Sequence, residues 1–303
     1  MAAVRAGNGK PAEHAILELP NPFDGEAGVI RLLEPPECDR EMIVGHVLSG
    51  RYDKPFVIED DGARCLYFTR AFIQSEMRLA DPFALEFAYI RKMMGFLLFL
   101  PEPREILMLG LGGGSLAKYC HRHLPAACIT VIEVDPHVIA FRDEFLVPSD
   151  DARLRVVQGE AAGYVAQCEE RPDVVLIDAF DRDGVAPSLC THEFYEGVRA
   201  LLQGKGVMVA NLVGEKAERM AHLEMMRDVF DGNVILLPVA EDGNYVAFAF
   251  RDPAFEPRWR WIDEQARAMR ARYGLDFPAF AAKLARSRKR GTLRSAMQSL
   301  PPR

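Results

Sequence analysis

From residue 104 onward, short apolar runs alternate with segments of helical periodicity, and this alternation restricts the chain more than any other feature. "EILMLGL", "CITVIEVD", "LRVVQGE", "DVVLIDAF" and "GVMVANL" are nearly continuous in apolar residues, with helical patterns such as "SLAKYCHRHL", "PHVIAFRDEFL" and "THEFYEGVRALL" among them. Strands of that kind bury both faces, which predicts a parallel sheet covered by helices on each side. After "GVMVANL" the pattern changes. "VILLPV" and "YVAFAF" are joined by "AEDGN", a hairpin-type turn, so the sheet is expected to end in an antiparallel strand. The fold class is α/β, Rossmann-like and mostly parallel.

The flanks give weaker signals. Residues 1–36 are punctuated by proline and glycine and carry little periodicity. Between about 40 and 75, "MIVGHVLSG", "PFVIEDDG" and "ARCLYFTRAFIQSEM" read as short strands, which predicts a small antiparallel element. "PFALEFAYIRKMMGFLLFL" has apolar residues too closely spaced for a strand and reads as a buried helix ended by Pro101 and Pro103. A helical tail begins near 256, with Ile262, Ala266, Met269 and Tyr273 at helical spacing. The expected division is 1–100 for the β element and the buried helix, 101–255 for the Rossmann-like domain, and 256–303 for the tail.

No run approaches the roughly 18 apolar residues of a membrane span, and the N-terminus has no secretory h-region. Six scattered cysteines without a C-x-x-C pair fit reduced thiols in a cytosol better than a disulfide frame or zinc site. The net charge of −7 is uneven: Arg258 to Arg303 carries +9, leaving −16 for the rest. An acidic body favours cationic ligands, and the basic tail reads as a solvated helix in preference to a nucleic-acid surface.

In an open α/β sheet, ligands bind beyond the carboxyl ends of the strands at the topological switch point. The first sheet strand ends at Gly110, placing Gly110, Gly112, Gly113 and Gly114 there. The spacing is G-x-G-x-G, and Ser115 stands where a dinucleotide fingerprint needs glycine or alanine. It suits close approach by a nucleoside with a sulfonium side chain. Glu133 closes the second strand, where a carboxylate can accept from both ribose hydroxyls. Glu160 closes the third, within reach of an adenine amino group. Asp135 reads as a brace for the loop. The bland alternative is that both glutamates are ordinary polar strand ends; loop, spacing and end strand together favour the nucleoside.

"VVLIDAFDRDGVAPSL" sets Asp178, Asp181 and Asp183 within six residues at the next strand tip. An enzyme that alkylates an amine has a use for such a cluster. The amine arrives protonated, with a pKa of about 10, and cannot attack a sulfonium until a base takes its proton. Other carboxylates can hold the cationic substrate. The bland alternative is an exposed turn whose aspartates cap a helix.

"LGLGGGS", "VIEVD", "QGEA", "LIDAFDRDGVAPSL" and "THEFYEGVRALL", in this order and spacing, resemble the spermidine synthase (polyamine aminopropyltransferase) family. "AFIQSEM" and "EFAYIRKMM" resemble its small β domain and gate helix, so the resemblance spans roughly 40–250. It implies a class I methyltransferase-like fold and an aminopropyl transfer from decarboxylated S-adenosylmethionine to a small amine, in a dimer or tetramer. Asp178 matches the proton acceptor and Asp181 an amine-binding partner. Glu133 matches the ribose ligand, Glu160 and Ala161 the adenine side, and Gln74 and Tyr89 the amine channel. The resemblance implies no tightly bound cofactor, only a co-substrate. Where the family usually carries an aspartate for the donor's amine, Gly113 stands, and Ile90 replaces a polar residue beside Tyr89. Gly113 tolerates a carboxylate, so ordinary S-adenosylmethionine and methyl transfer form a second expectation. A nucleoside- or nucleic-acid-binding protein without turnover is the third.

His121 and His123 lack partners at metal spacing and read as surface helix residues. Cys190 reads as a packed thiol. Trp259 and Trp261 are expected to seat the C-terminal helix or an oligomer contact.

Overall fold

A computed structural model describes residues 15–23, 27–180, 184, 186–241 and 243–289. The N-terminal part is a five-stranded antiparallel sheet in sequential order. It contains β1 (Leu17–Pro20), β2 (Val29–Leu32), helix α1 (Arg40–Leu48), β3 (Phe56–Asp60), β4 (Ala63–Thr69) and β5 (Phe72–Arg78). Two details differ from the sequence reading. The "MIVGHVLSG" stretch is α1, a helix and not a strand. Asp39 caps it by accepting from the Met42 N–H, and Ile43 and Val47, four residues apart, bury one face. The weak region before residue 36 supplies β1 and β2, whose Leu17, Leu19, Ile30 and Leu32 pack with α1.

The chain then forms α2 (Ala88–Met93), a 3₁₀ turn at Met94–Leu98, and the second sheet with its covering helices. In order these are β6 (Glu105–Leu109), α3 (Ser115–His123), β7 (Cys128–Glu133), α4 (Pro136–Ala140), β8 (Leu154–Gln158), α5 (Ala161–Gln167) and β9 (Val174–Ile177). They continue with a 3₁₀ turn at Pro187–Leu189, α6 (His192–Leu201), β10 (Val207–Leu212), α7 (Lys216–Val229), β11 (Val234–Val239) and β12 (Asn244–Phe250). Two helices, α8 (Trp259–Tyr273) and α9 (Phe277–Lys289), close the described chain.

The second sheet has seven strands in the order β11-β12-β10-β9-β6-β7-β8. The five strands from β10 to β8 are parallel, and β12 runs antiparallel between β10 and β11. The antiparallel strand is thus next to last, because the hairpin folds back inside its own first strand. Alternate residues of one strand feed opposite cores: Ile106 and Met108 face the layer of α2, α3, α8 and α9, while Leu107 and Leu109 face that of α5, α6 and α7. The tail residues Ile262, Ala266, Met269 and Tyr273 all join the first layer, as their spacing predicts.

Strand order reverses between β6 and β9, so their carboxyl ends bound the crevice. Two ion-paired contacts hold neighbouring pieces against it. Arg31 and Arg64 of the small sheet share Glu59 and reach Glu144 beyond α4. Lys92 of α2, only 4% exposed, pairs with Glu241 of the β11–β12 hairpin at 2.7 Å. That pair fixes the helix carrying Tyr89.

Candidate active site

The glycine loop leaves β6 in direct contact with the tip of β9. Gly110 has φ +99°, and a Cβ there would overlap the carbonyl oxygen of Asp178 and lie 3.1 Å from Ala179 Cα. Only glycine combines that backbone angle with that approach. Gly112, Gly113 and Gly114 complete the loop, and Gly114 is the N-cap of α3. A Cβ on Gly113 would stand 2.6 Å from Ser75 Oγ and 2.9 Å from a ring carbon of Phe145. The side-chain space at 113 is therefore filled by Ser75 of β5, itself buried.

Glu133 reaches the same loop from the tip of β7. One carboxylate oxygen accepts from the Leu111 N–H and the other from the Asp135 N–H, both at 2.9 Å. Burial raises its pKa in spite of these bonds. A carboxylate offers about four acceptor sites, so these bonds leave room for a ligand hydroxyl. Asp135 braces the turn as expected, capping α4 through the His137 N–H. Glu160 caps α5, accepting from Ala162 and Gly163 N–H, and also takes the Ser188 hydroxyl at 2.8 Å. Ala161 begins that helix. Two strands, β6 and β7, separate both from Asp178 along the sheet.

Asp178 sits at the switch point. Its Oδ1 accepts from Asn211 Nδ2 at 2.9 Å and its Oδ2 from the Tyr89 hydroxyl at 3.2 Å. Burial pushes its pKa up to about 6, against the pull of both bonds. Tyr89, on α2, stacks on Phe87 with ring centres 5.8 Å apart. Gln74 is the extra residue of a bulge in β5, since Leu66 pairs with Ser75 while Tyr67 pairs with Ile73. Bulges commonly re-aim a side chain beside a site. Asp181, with Arg182, Asp183 and Val185, lies outside the described residues.

The crevice thus gathers the glycine loop, Glu133, Asp178 and Tyr89. The sequence reading missed two residues. Asn211 is 5% exposed at the tip of β10, and its Oδ1 has no hydrogen-bond partner among the described residues. Its signal was a lone amide in an otherwise apolar strand. Ser75, whose contact with Gly113 spans the two sheets, had no sequence signal at all. Among the described residues no three His, Cys, Asp or Glu side chains could hold a metal ion. His121 pairs with Asp151, and His123 lies against Tyr119. Trp259 packs on Phe99, whereas Trp261 is 43% exposed. No described helix is long and apolar enough to cross a membrane.

A parallel sheet reversing at a glycine-rich loop, with a carboxylate on the next strand tip and an enclosed acid opposite, defines a methyltransferase-like transferase fold. The spermine/spermidine synthase domain matches residues 86–233. A polyamine aminopropyltransferase of Chromobacterium violaceum is 35% identical over 229 residues, covering 75% of this chain and 88% of that one. One from Neisseria meningitidis is 31% identical over 230 residues, with the same coverage. In fold, the chain is similar to a spermidine synthase crystallised with the transition-state analogue AdoDATO, with a TM-score of 0.61 at 19% identity over 91% of this chain and 93% of that one. The chain belongs to the spermine/spermidine synthase family and is a transferase.

Proposed function

We propose that this protein moves an aminopropyl group from decarboxylated S-adenosylmethionine to a small amine, a step of polyamine biosynthesis. The observation that carries the reading is Asp178. It is an enclosed carboxylate with its pKa near 6, at the switch point and bonded to the tyrosine of α2. In this reading the amine enters as an ammonium and passes a proton to Asp178. Its nitrogen lone pair then attacks the carbon next to the sulfonium. A C–N bond forms, the C–S bond breaks with its electrons going to sulfur, and methylthioadenosine leaves. A carboxylate with pKa near 6 is a stronger base than an ordinary aspartate, yet remains ionised at neutral pH. The free Oδ1 of Asn211 supplies a second acceptor for the amine's N–H groups. Decarboxylated donor incubated with putrescine, spermidine or cadaverine yields an aminopropylated product by mass spectrometry. No product from any of the three would end this reading.

Glu133 is proposed to hold the ribose hydroxyls while keeping the glycine loop in place. Glu133→Gln retains one acceptor oxygen and loses the charge. It is expected to weaken methylthioadenosine binding roughly 10- to 100-fold by calorimetry, the worth of a hydrogen bond to a charged group. An unchanged Kd would remove Glu133 from the nucleoside site.

One observation favours a second reading. With Ser75 and Phe145 occupying the side-chain space at Gly113, the glycine loop presents no carboxylate to the donor's amino end. A methyltransferase using ordinary S-adenosylmethionine would have the same loop. Calorimetric titration separates the two: aminopropyl transfer predicts tighter binding of the decarboxylated donor, and the reverse order would favour methyl transfer.

A further inference from the structure

Behind the crevice, three side chains that take no part in the proposed chemistry form one hydrogen-bonded line. The Tyr195 hydroxyl, on α6, is 2.6 Å from His222 Nδ1 on α7, and His222 Nε2 is 3.2 Å from Cys190 Sγ. Tyr195 and His222 are 2% and 8% exposed, so bulk solvent does not reach these contacts. Burial lowers the pKa of His222 and raises that of Tyr195, leaving a neutral ring and an intact phenol. Nδ1 is the acceptor within reach of the phenol's proton, so the ring proton belongs on Nε2, which donates to sulfur. Burial, with the charge of Glu218, also raises the Cys190 pKa, and its S–H points to the Ala186 carbonyl at 3.5 Å. The polarity is Tyr195 to His222 to Cys190 to Ala186, each donor with one acceptor.

The anchored segment, Ala186–Cys190, lies between Asp178 and α6 in the chain. On its other side Ser188 donates to Glu160, at the tip of the third parallel strand. A cavity of about 20 Å³, room for roughly one water, is lined by Leu189, Tyr195 and His222 together with Ala179 and Asn211. Asn211 in turn holds Asp178. The segment thus bonds the glutamate at one end of the crevice and, through Leu189, shares a cavity wall with the asparagine that holds the base at the other.

We propose that Tyr195, His222 and Cys190 form a latch that positions the Ala186–Cys190 segment, and through it the Glu160 and Asn211 ends of the crevice, with Cys190 as its chemically addressable point. The inference takes the crevice to be the transfer site proposed above. The three are positioning residues and touch no substrate.

Methyl methanethiosulfonate tests it. The Cys190 thiolate attacks the probe's thiomethyl sulfur, an S–S bond forms, and methanesulfinate leaves. The added thiomethyl group breaks the contacts to His222 and Ala186. Treated enzyme is expected to lose kcat on the order of 5- to 10-fold, the scale of one lost hydrogen bond, with the KM of the amine nearly unchanged, that of the nucleoside donor raised, and recovery on adding dithiothreitol. Cys190→Ala should start with that lower kcat and resist the probe, although Cys38, Cys65, Cys128 and Cys168 remain partly accessible. Cys190→Ser, which keeps a donor and an acceptor, should recover most of kcat. Tyr195→Phe combined with Cys190→Ala should cost little more than either alone, because one break already releases the latch. Full activity in treated wild type and in Cys190→Ala, or multiplicative losses in the double variant, would overturn the latch. Methylthioadenosine affinity, read by calorimetry on the same proteins, should weaken on modification. That readout does not depend on which group is transferred, so failure of the aminopropyl reading stays distinguishable from failure of the latch.

Discussion

Asp178→Asn is expected to abolish turnover and to leave the protein more stable at pH 8 than the wild type. Removing a positioned general base lowers rates by roughly 10²–10⁴, and the amide cannot take the ammonium's proton. Folding is affected in the opposite direction. The carboxylate titrates near 6 in the folded chain against 3.8 ordinarily, so the folded state holds its proton more tightly than the unfolded state does. Ionisation of Asp178 therefore opposes folding. The penalty is absent below pH 3.8, grows between 3.8 and 6, and is full above 6. Two pKa units correspond to about 3 kcal/mol as an upper bound, and crevice solvent reduces it to about 1–3 kcal/mol. The asparagine keeps an oxygen for Asn211 and offers its NH₂ to the Tyr89 oxygen, so neither neighbour is stranded. Thermal denaturation at pH 4 and pH 8 checks this: the variant's advantage should appear only at pH 8. In the wild type kcat/KM should fall about tenfold per pH unit below 6, as the base becomes protonated. A variant retaining a tenth of wild-type turnover would exclude Asp178 as the base.

The features legible in the sequence are those whose cause is local. The parallel strands announce themselves because burial on both faces needs continuous apolar runs. The crevice follows because glycine density marks close backbone approach and the strand tips carry Glu133 and Asp178. The sequence reads α1 as a strand because apolar Met42 runs into the β-branched residues Ile43, Val44 and Val47. The decisive cap from Asp39 is a single side-chain bond. Strands β1 and β2 are four residues each, too short for alternation to stand out. Glu160 was placed correctly at a strand tip, but its Ser188 partner is 28 residues away. Likewise, the bonds from Asn211 to Asp178 and from His222 to Cys190 join residues more than 30 apart. Cys190, read as a packed thiol, has a histidine beside it only because α6 and α7 fold together. Pairings of this kind come from tertiary packing, for which one sequence holds no periodic signal.

Gly110→Ala should damage the crevice more broadly than any side-chain deletion. At φ +99° an alanine is strained, and its methyl would overlap the Asp178 carbonyl oxygen while standing 2.9 Å from the carbonyl carbon. Both partners are strand-tip backbone: the Asp178 N–H bonds to the Leu109 carbonyl at 3.0 Å, and the Gly110 N–H to the Ile132 carbonyl at 2.8 Å. Neither can swing aside as a flexible side chain would. Left-handed strain of about 1–3 kcal/mol and an overpacking cost of about 1–3 kcal/mol give a destabilisation of roughly 2–6 kcal/mol. The melting temperature of a chain this size should fall by roughly 5–20 °C. Gly62→Ala is the matched control, since Gly62 has φ +74° with nothing within 4 Å of its added Cβ. It bears the strain without the collision and should bind nucleoside normally. If the two glycines differ as described, Gly110→Ala loses methylthioadenosine binding at temperatures where it is still folded, and Gly62→Ala does not. Equal nucleoside affinity in both variants would mean that the contact between the glycine loop and the Asp178 backbone does not shape the site.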